Sequence, residues 1–108
     1  MRIRSINFKS ACPYSFTTDI NGQRVKIHVR YNPYSDSYYF NVDRFINGQY
    51  ENIINGIPLV TGIDLFMQYP QYHLGELLIV PFKPEYYDKT PTAETLVNNF
   101  QIIWGSES

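Results

Sequence analysis

At 108 residues with a single cysteine, Cys12, the chain is long enough to bury a core as one domain and cannot form an internal disulfide. Nine basic against ten acidic residues leave a net charge of −1 with no basic block, which argues against a nucleic-acid partner, since phosphate backbones are held by clustered Lys and Arg. No apolar run approaches the ~18 residues of a membrane span, and the opening stretch MRIRSINFKSACPYSF lacks the apolar core of a signal peptide. The chain therefore reads as made and folded in a reducing cytoplasm, without a membrane partner.

Residues 2–8, RIRSINF, predict an edge strand, and Cys12-Pro13 interrupts it. Cys12 is expected to pack as a small hydrophobe. From Tyr14 the period is two, with Tyr14, Phe16, Thr18 and Ile20 on one face and Ser15, Thr17 and Asp19 on the other. Asn21-Gly22 marks a hairpin turn, because both residues tolerate the positive φ of a type I′ turn. The return strand points Val25, Ile27, Val29 and Tyr31 inward and Arg24, Lys26, His28 and Arg30 outward. A slip of one residue would bury those charges, so its register is firmly set. NPYSDS at 32–37 is a turn by composition. Tyr38, Phe40 and Val42 then form the inner face of a third strand, with Tyr39, Asn41 and Asp43 outward. Asn47-Gly48 is a second hairpin signal, and Gln49 to Ile54 reads as the fourth strand of an antiparallel meander.

The segment 55–70, NGIPLVTGIDLFMQYP, breaks the alternation. Ile63, Phe66 and Met67 stand at helical spacing, which predicts one or two helical turns ending before Pro70. Thr61 is the expected N-cap. Asp64 then falls in the first turn, where a carboxylate gains about 0.3–1 kcal/mol from the helix dipole. That capping role accounts for the acid without catalysis. GELLIVPF at 75–82 is apolar without interruption and predicts a strand covered on both faces. The proline- and charge-rich stretch 83–95 predicts a long surface loop. A last strand follows in NNFQIIWG, with Phe100, Ile102 and Trp104 on one side. Together these elements predict an all-β fold with one short helical turn, a small antiparallel β-barrel or sandwich of about six to seven strands, in one domain spanning 1–108.

Visible chemistry is sparse. His28 and His73 are distant from each other and from Cys12, which is not metal-ligand spacing. Glu85, Asp88 and Glu94 fall in the expected loop, where nothing pins a pair of carboxylates at the separation glycoside hydrolysis needs. There is no nucleophile-elbow motif and no phosphate-cradling glycine loop. No catalytic residue, metal ligand or cofactor-binding residue is assigned, and no cofactor is expected. The aromatic content of 17%, with ten tyrosines, is the feature with functional weight. Tyr34, Tyr39, Tyr86 and Tyr87 fall on expected wet faces or loops. They either cover the edges of the core or present rings to another molecule, since aromatic residues dominate interface hot spots. A protein surface and a sugar ring are both candidates for that molecule, and the second would make the chain a carbohydrate-binding or receptor-recognition domain. Sugar platforms are flat rows of rings, whereas assembly surfaces spread over several faces.

The run GIPLVTGIDLFMQYPQYHLGELLIV resembles the signature of the baseplate plug proteins of contractile-tailed phages and prophages. Gly56, Pro58, Leu59, Val60, Gly62, Asp64, Leu65, Gln68, Tyr69, Leu74 and Gly75 carry the likeness. It covers most of the chain in layout and is closest over 56–80, while 83–95 is longer and more charged than the pattern. The resemblance implies a non-enzymatic structural protein of the virion tail baseplate, assembled in the host cytoplasm. Its implied partners are hub and tube proteins, and homo-oligomerisation about the tail axis is expected.

Overall fold

The computed structural model describes residues 2–9, 13–86 and 89–106. Cys12, Tyr87 and Asp88, given roles above from sequence, lie outside them. Seven strands run through the described chain: β1 (Arg2–Asn7), β2 (Tyr14–Ile20), β3 (Gln23–Asn32), β4 (Ser37–Ile46), β5 (Gln49–Pro58), β6 (Glu76–Pro81) and β7 (Phe100–Ser106). They form two antiparallel sheets, a four-stranded meander β2-β3-β4-β5 and a three-stranded sheet β1-β7-β6. Both hairpin turns have the φ values their Asn-Gly pairs favour, 51° and 79° at Asn21-Gly22 and 51° and 85° at Asn47-Gly48. The expected alternation holds through the meander: Val25, Ile27, Val29, Phe40 and Val42 are buried on its inner face.

From the other sheet, Leu77, Ile79, Phe100, Ile102 and Trp104 meet that face in one apolar cluster. Two layers about 10 Å apart fit the shortest molecular extent of 22 Å. Trp104 is fully buried, and its indole N–H donates to the Leu74 carbonyl at 2.7 Å, so the largest core residue brings no orphaned donor inside. Among the described residues β1 and β2 share no ladder, so the sheets remain a sandwich and do not close into a barrel.

In four places the fold departs from the sequence reading. The fourth strand continues to Pro58 instead of stopping at Ile54. Two register shifts against β4 absorb the irregular stretch, and Gly56 takes φ 73° at one of them while its N–H donates to Asn41 Oδ1 at 2.8 Å. A bulge of this kind bends a strand without ending it. Pro58 is tolerated because β5 is an edge strand, where a missing ladder donor costs little.

The helix expected over 62–69 does not form. Residues 65–68 are turns, and a 3-10 turn follows at Pro70–Tyr72. The amides a helix would use are engaged elsewhere: Asp64 Oδ1 accepts Phe66 N at 2.9 Å and Leu77 N at 3.0 Å, and Leu65 N donates to the Leu77 carbonyl at 2.8 Å. Thr61 is no N-cap; it makes a parallel bridge to Ile79, and its hydroxyl donates to the Lys89 carbonyl at 3.5 Å.

β6 alternates, with Leu77 and Ile79 buried and Leu78 and Val80 half-buried, because it lies at a sheet edge with one face on the core. The stretch 83–95 is not all loop. It holds a 3-10 turn at Pro84–Tyr86 and leads into a short helix, α1 (Leu96–Asn99). That helix forms because Leu96 is buried, and because Thr92 and Thr95 bond each other, with Thr92 N donating to Thr95 Oγ1 at 3.0 Å. The one short helical turn of the sequence reading thus exists, at a different place.

Candidate interaction surface

The β3–β4 turn places Pro33, Tyr34, Ser35 and Asp36 at one end of the meander. Asp36 has φ 48°, which a short carboxylate side chain tolerates, and this tightens the turn. Its Oδ1 accepts the Ala93 amide at 3.0 Å and the Tyr31 hydroxyl at 2.8 Å, tying the turn to the segment that leads into α1. Those two donors hold the Asp36 carboxyl below the usual carboxylate range, the amide contributing more. The same hydrogen bond pushes the Tyr31 phenol up, because its proton is held by the acid.

Beside this turn lies a groove of about 560 Å3 lined by Tyr31, Tyr34, Tyr38, Tyr39, Gly56 and Pro58, among others. Tyr34 is 99% exposed and rests on backbone pinned by its own N–H to Asn32 Oδ1 at 3.0 Å. Tyr39 stands half-buried on the outward face of β4, opposite Pro58. Two residues of the signature run, Gly56 and Pro58, therefore meet two of the singled-out tyrosines. The bulge at Gly56 brings the end of β5 alongside Tyr39, and the sequence showed neither the bulge nor the pairing. Within it the Tyr31 and Tyr38 rings are 5.0 Å apart and tilted by 51° to each other.

The remaining predicted residues are distributed elsewhere. Tyr86 is half-buried and packs edge-on against Phe100 at 5.9 Å, so it covers the core. Leu59 and Leu65 are buried, Tyr69 packs against the same cluster, and Gly62 lies in the exposed bend between Thr61 and Asp64. Gly75 immediately precedes β6. Asp64 joins the turn to β6 through backbone amides, a structural role that does not need the expected helix. Leu59 N donates to the Tyr38 carbonyl at 3.0 Å and Thr61 bridges Ile79, so the signature run stitches one side of the two sheets together.

A further arrangement was not visible in the sequence. Across three strands of the meander, Ser15 Oγ lies 2.6 Å from His28 Nδ1, and His28 Nε2 lies 2.7 Å from Asp43 Oδ2. Arg30 Nη2 stands 3.3 Å from the same Nδ1. Arginine can only donate, so Nδ1 accepts and the ring proton sits on Nε2, facing the acid. Desolvation opposes ionisation of Asp43, but the hydrogen bonds from His28 and Asn52 and the charge of Lys26 outweigh it and lower its pKa. Of the two groups that reach Nδ1, the Ser15 hydroxyl is the nearer. The chain Ser15–His28–Asp43–Asn52, with Asn52 Nδ2 3.1 Å from Asp43 Oδ1, is a polar brace running across β2, β3, β4 and β5. Its members are at alternating strand positions whose cross-strand contacts depend on register, which is why spacing along the chain conceals it.

Among the described residues no cluster of His, Cys, Asp or Glu has metal-binding geometry. No helix among them is long and apolar enough to cross a membrane. In comparison with protein families, the family described as cyanophage baseplate Pam3 plug gp18 matches residues 3–107. The chain belongs to this baseplate plug family. Membership implies a place in the virion tail and association with other baseplate proteins. The plug match runs from β1 to β7, well beyond the signature run, so the whole sandwich is the family's unit of likeness. No curated protein matches the chain.

Proposed function

We propose that the chain works by binding, not turnover: a plug that fills or seals the axial region of the baseplate and joins tube and hub proteins. The family match across residues 3–107 carries this reading. Residues 1–108 act as one β domain, assembled with its partners in the host cytoplasm. The tyrosine groove supports it, since rings with wet hydroxyls supply large contact area with little conformational freedom to lose. The outer edges of β1, β2 and β5, which carry no ladder partner among the described residues, support it too, because an edge offers backbone donors and acceptors to a neighbour's strand. Copies of the plug arranged about the tail axis would follow closed cyclic symmetry. Tyr34, Tyr39, Gly56 and Pro58 are the contact residues we assign.

The test is light scattering coupled to size-exclusion chromatography, on the chain alone and mixed with the hub and tube proteins of the same tail. A self-assembled species, or a stable complex with either protein, is the expected result. A strict monomer that binds neither would overturn the proposal. The tilt between Tyr31 and Tyr38 counts against a sugar platform, and quenching of tyrosine fluorescence by oligosaccharides would reverse that judgement.

A further inference from the structure

The two sides of the sandwich are closed differently. On the β5/β6 side the chain itself crosses between the sheets through residues 59–65, with the backbone bonds described above. On the opposite side β1 and β2 are both edge strands with no ladder between them among the described residues, and side chains reach from one to the other. Arg4 Nη1 donates to Thr18 Oγ1 across the gap. The Tyr14 hydroxyl accepts the Lys9 amide at 3.1 Å, and the Lys9 ammonium lies 5.7 Å from the centre of the Tyr14 ring. Between the edges runs a groove of about 540 Å3, lined by Arg4, Ile6, Lys9, Tyr14, Phe16 and Thr18 together with Ser5, Asn7 and Thr17.

Its chemistry is one-sided. Ile6, Tyr14 and Phe16 are only half-buried, so the groove leaves apolar surface of the core's margin in water. The described lining carries two cations and no carboxylate. Arg4 points to the inner face of an edge strand, half-buried, and its bonding partner there is a neutral hydroxyl. A guanidinium offers five donors in a fork that matches a carboxylate, and one alcohol oxygen leaves most of that capacity to water. An inward charge on an edge strand also deters indiscriminate pairing, because any strand laid against it must answer the charge.

We propose that this β1–β2 seam takes an extended segment of a partner protein in which apolar and acidic residues alternate, added as a strand between the two edges. The alternation follows from the pleat: residues facing the core would meet Ile6, Tyr14 and Phe16, and an acid at the level of Arg4 would take the guanidinium from Thr18. That exchange replaces a neutral acceptor by a charge-assisted one, while backbone bonds to the free edges supply register. The seam deepens the plug reading, on which it rests for a partner in the assembled tail, but its chemistry is testable without that partner.

The probe is a soluble peptide of about six residues alternating glutamate and valine, the length of β1. A lysine–valine counterpart and a peptide of the same composition with its glutamates in one block serve as controls. Fluorescence titration of a dye on the peptide should show the alternating acidic peptide binding and both controls failing. Arg4→Glu should weaken binding at least about tenfold and Arg4→Gln by less, with the lysine–valine peptide preferring the Arg4→Glu chain. Thermal melting of each variant checks folding, and Arg4→Gln, which keeps a donor for Thr18, keeps the test open if Arg4→Glu unfolds. Equal binding of all three peptides, no binding by the acidic one, or no change with either Arg4 variant would overturn the seam. Protection of β1 and β2 amides by a second copy at high concentration, without peptide, would overturn it in favour of self-pairing. Failure here together with intact hub or tube binding leaves the plug reading standing, so the two proposals fail separately.

Discussion

Asp64 shows how much one side chain can decide. A single carboxylate oxygen accepts two backbone amides, those of Phe66 and of Leu77, two and thirteen residues along the chain, and so fixes both the turn and the start of β6. Asp64→Ala orphans both donors and should cost about 2–4 kcal/mol in denaturant unfolding, whereas Asp64→Asn, which keeps an oxygen, should cost less. The sequence pointed to Asp64 as a structural acid and misplaced its partners, because the amide of Leu77 is a tertiary neighbour. Gly56 makes the complementary case. A side chain there would meet open space, so the objection to one is conformational, at φ 73°. Gly56→Ala should destabilise by about 1–2 kcal/mol through the left-handed backbone alone, with no cavity or clash to repair it.

Among the elements, the meander was legible because its apolar period of two is unbroken and its Asn-Gly turns are specific. The outer face carries a device that the period cannot reveal. In the brace Ser15–His28–Asp43–Asn52, folding lowers the Asp43 pKa, so its contribution to stability is present above the unfolded carboxylate value of about 4 and is lost as pH falls through the folded value. Stability measured from pH 6 downward should therefore drop for the native chain, and Asp43→Asn should flatten part of that acid arm. An acid arm of unchanged slope in the variant would remove Asp43 from the account. In the second sheet, Trp104→Phe should keep most of the packing but leave the Leu74 carbonyl without its buried donor, at a cost of about 1–3 kcal/mol by thermal or denaturant unfolding.

For the molecule as a whole, the sandwich has a stitched side, a seam bridged by side chains and an aromatic end, and the proposed contacts use the last two. If the tyrosine groove is a docking surface, Tyr34→Ala and Tyr39→Ala should each weaken binding to the tail partner by about thirtyfold, near 2 kcal/mol, with little change in the melting temperature. Tyr34 is the cleaner probe, because at 99% exposure it contributes almost nothing to the fold. Tyr86→Ala serves as the contrast: its ring packs on Phe100, so the loss should appear in stability and not in affinity.

By itself the sequence determined most of the strands, the two Asn-Gly turns and the inner face of the meander, because each depends on neighbours one or two residues away. Tertiary structure decided the rest. It converted an expected helix into a turn by offering Asp64 the amide of Leu77, carried β5 through a bulge by offering Gly56 the side chain of Asn41, and gathered Tyr34, Tyr39 and Pro58 into one groove. Each of these contacts joins residues distant along the chain, and local preference, worth a fraction of a kcal/mol per residue, yields where a hydrogen bond or a buried ring from afar is worth more.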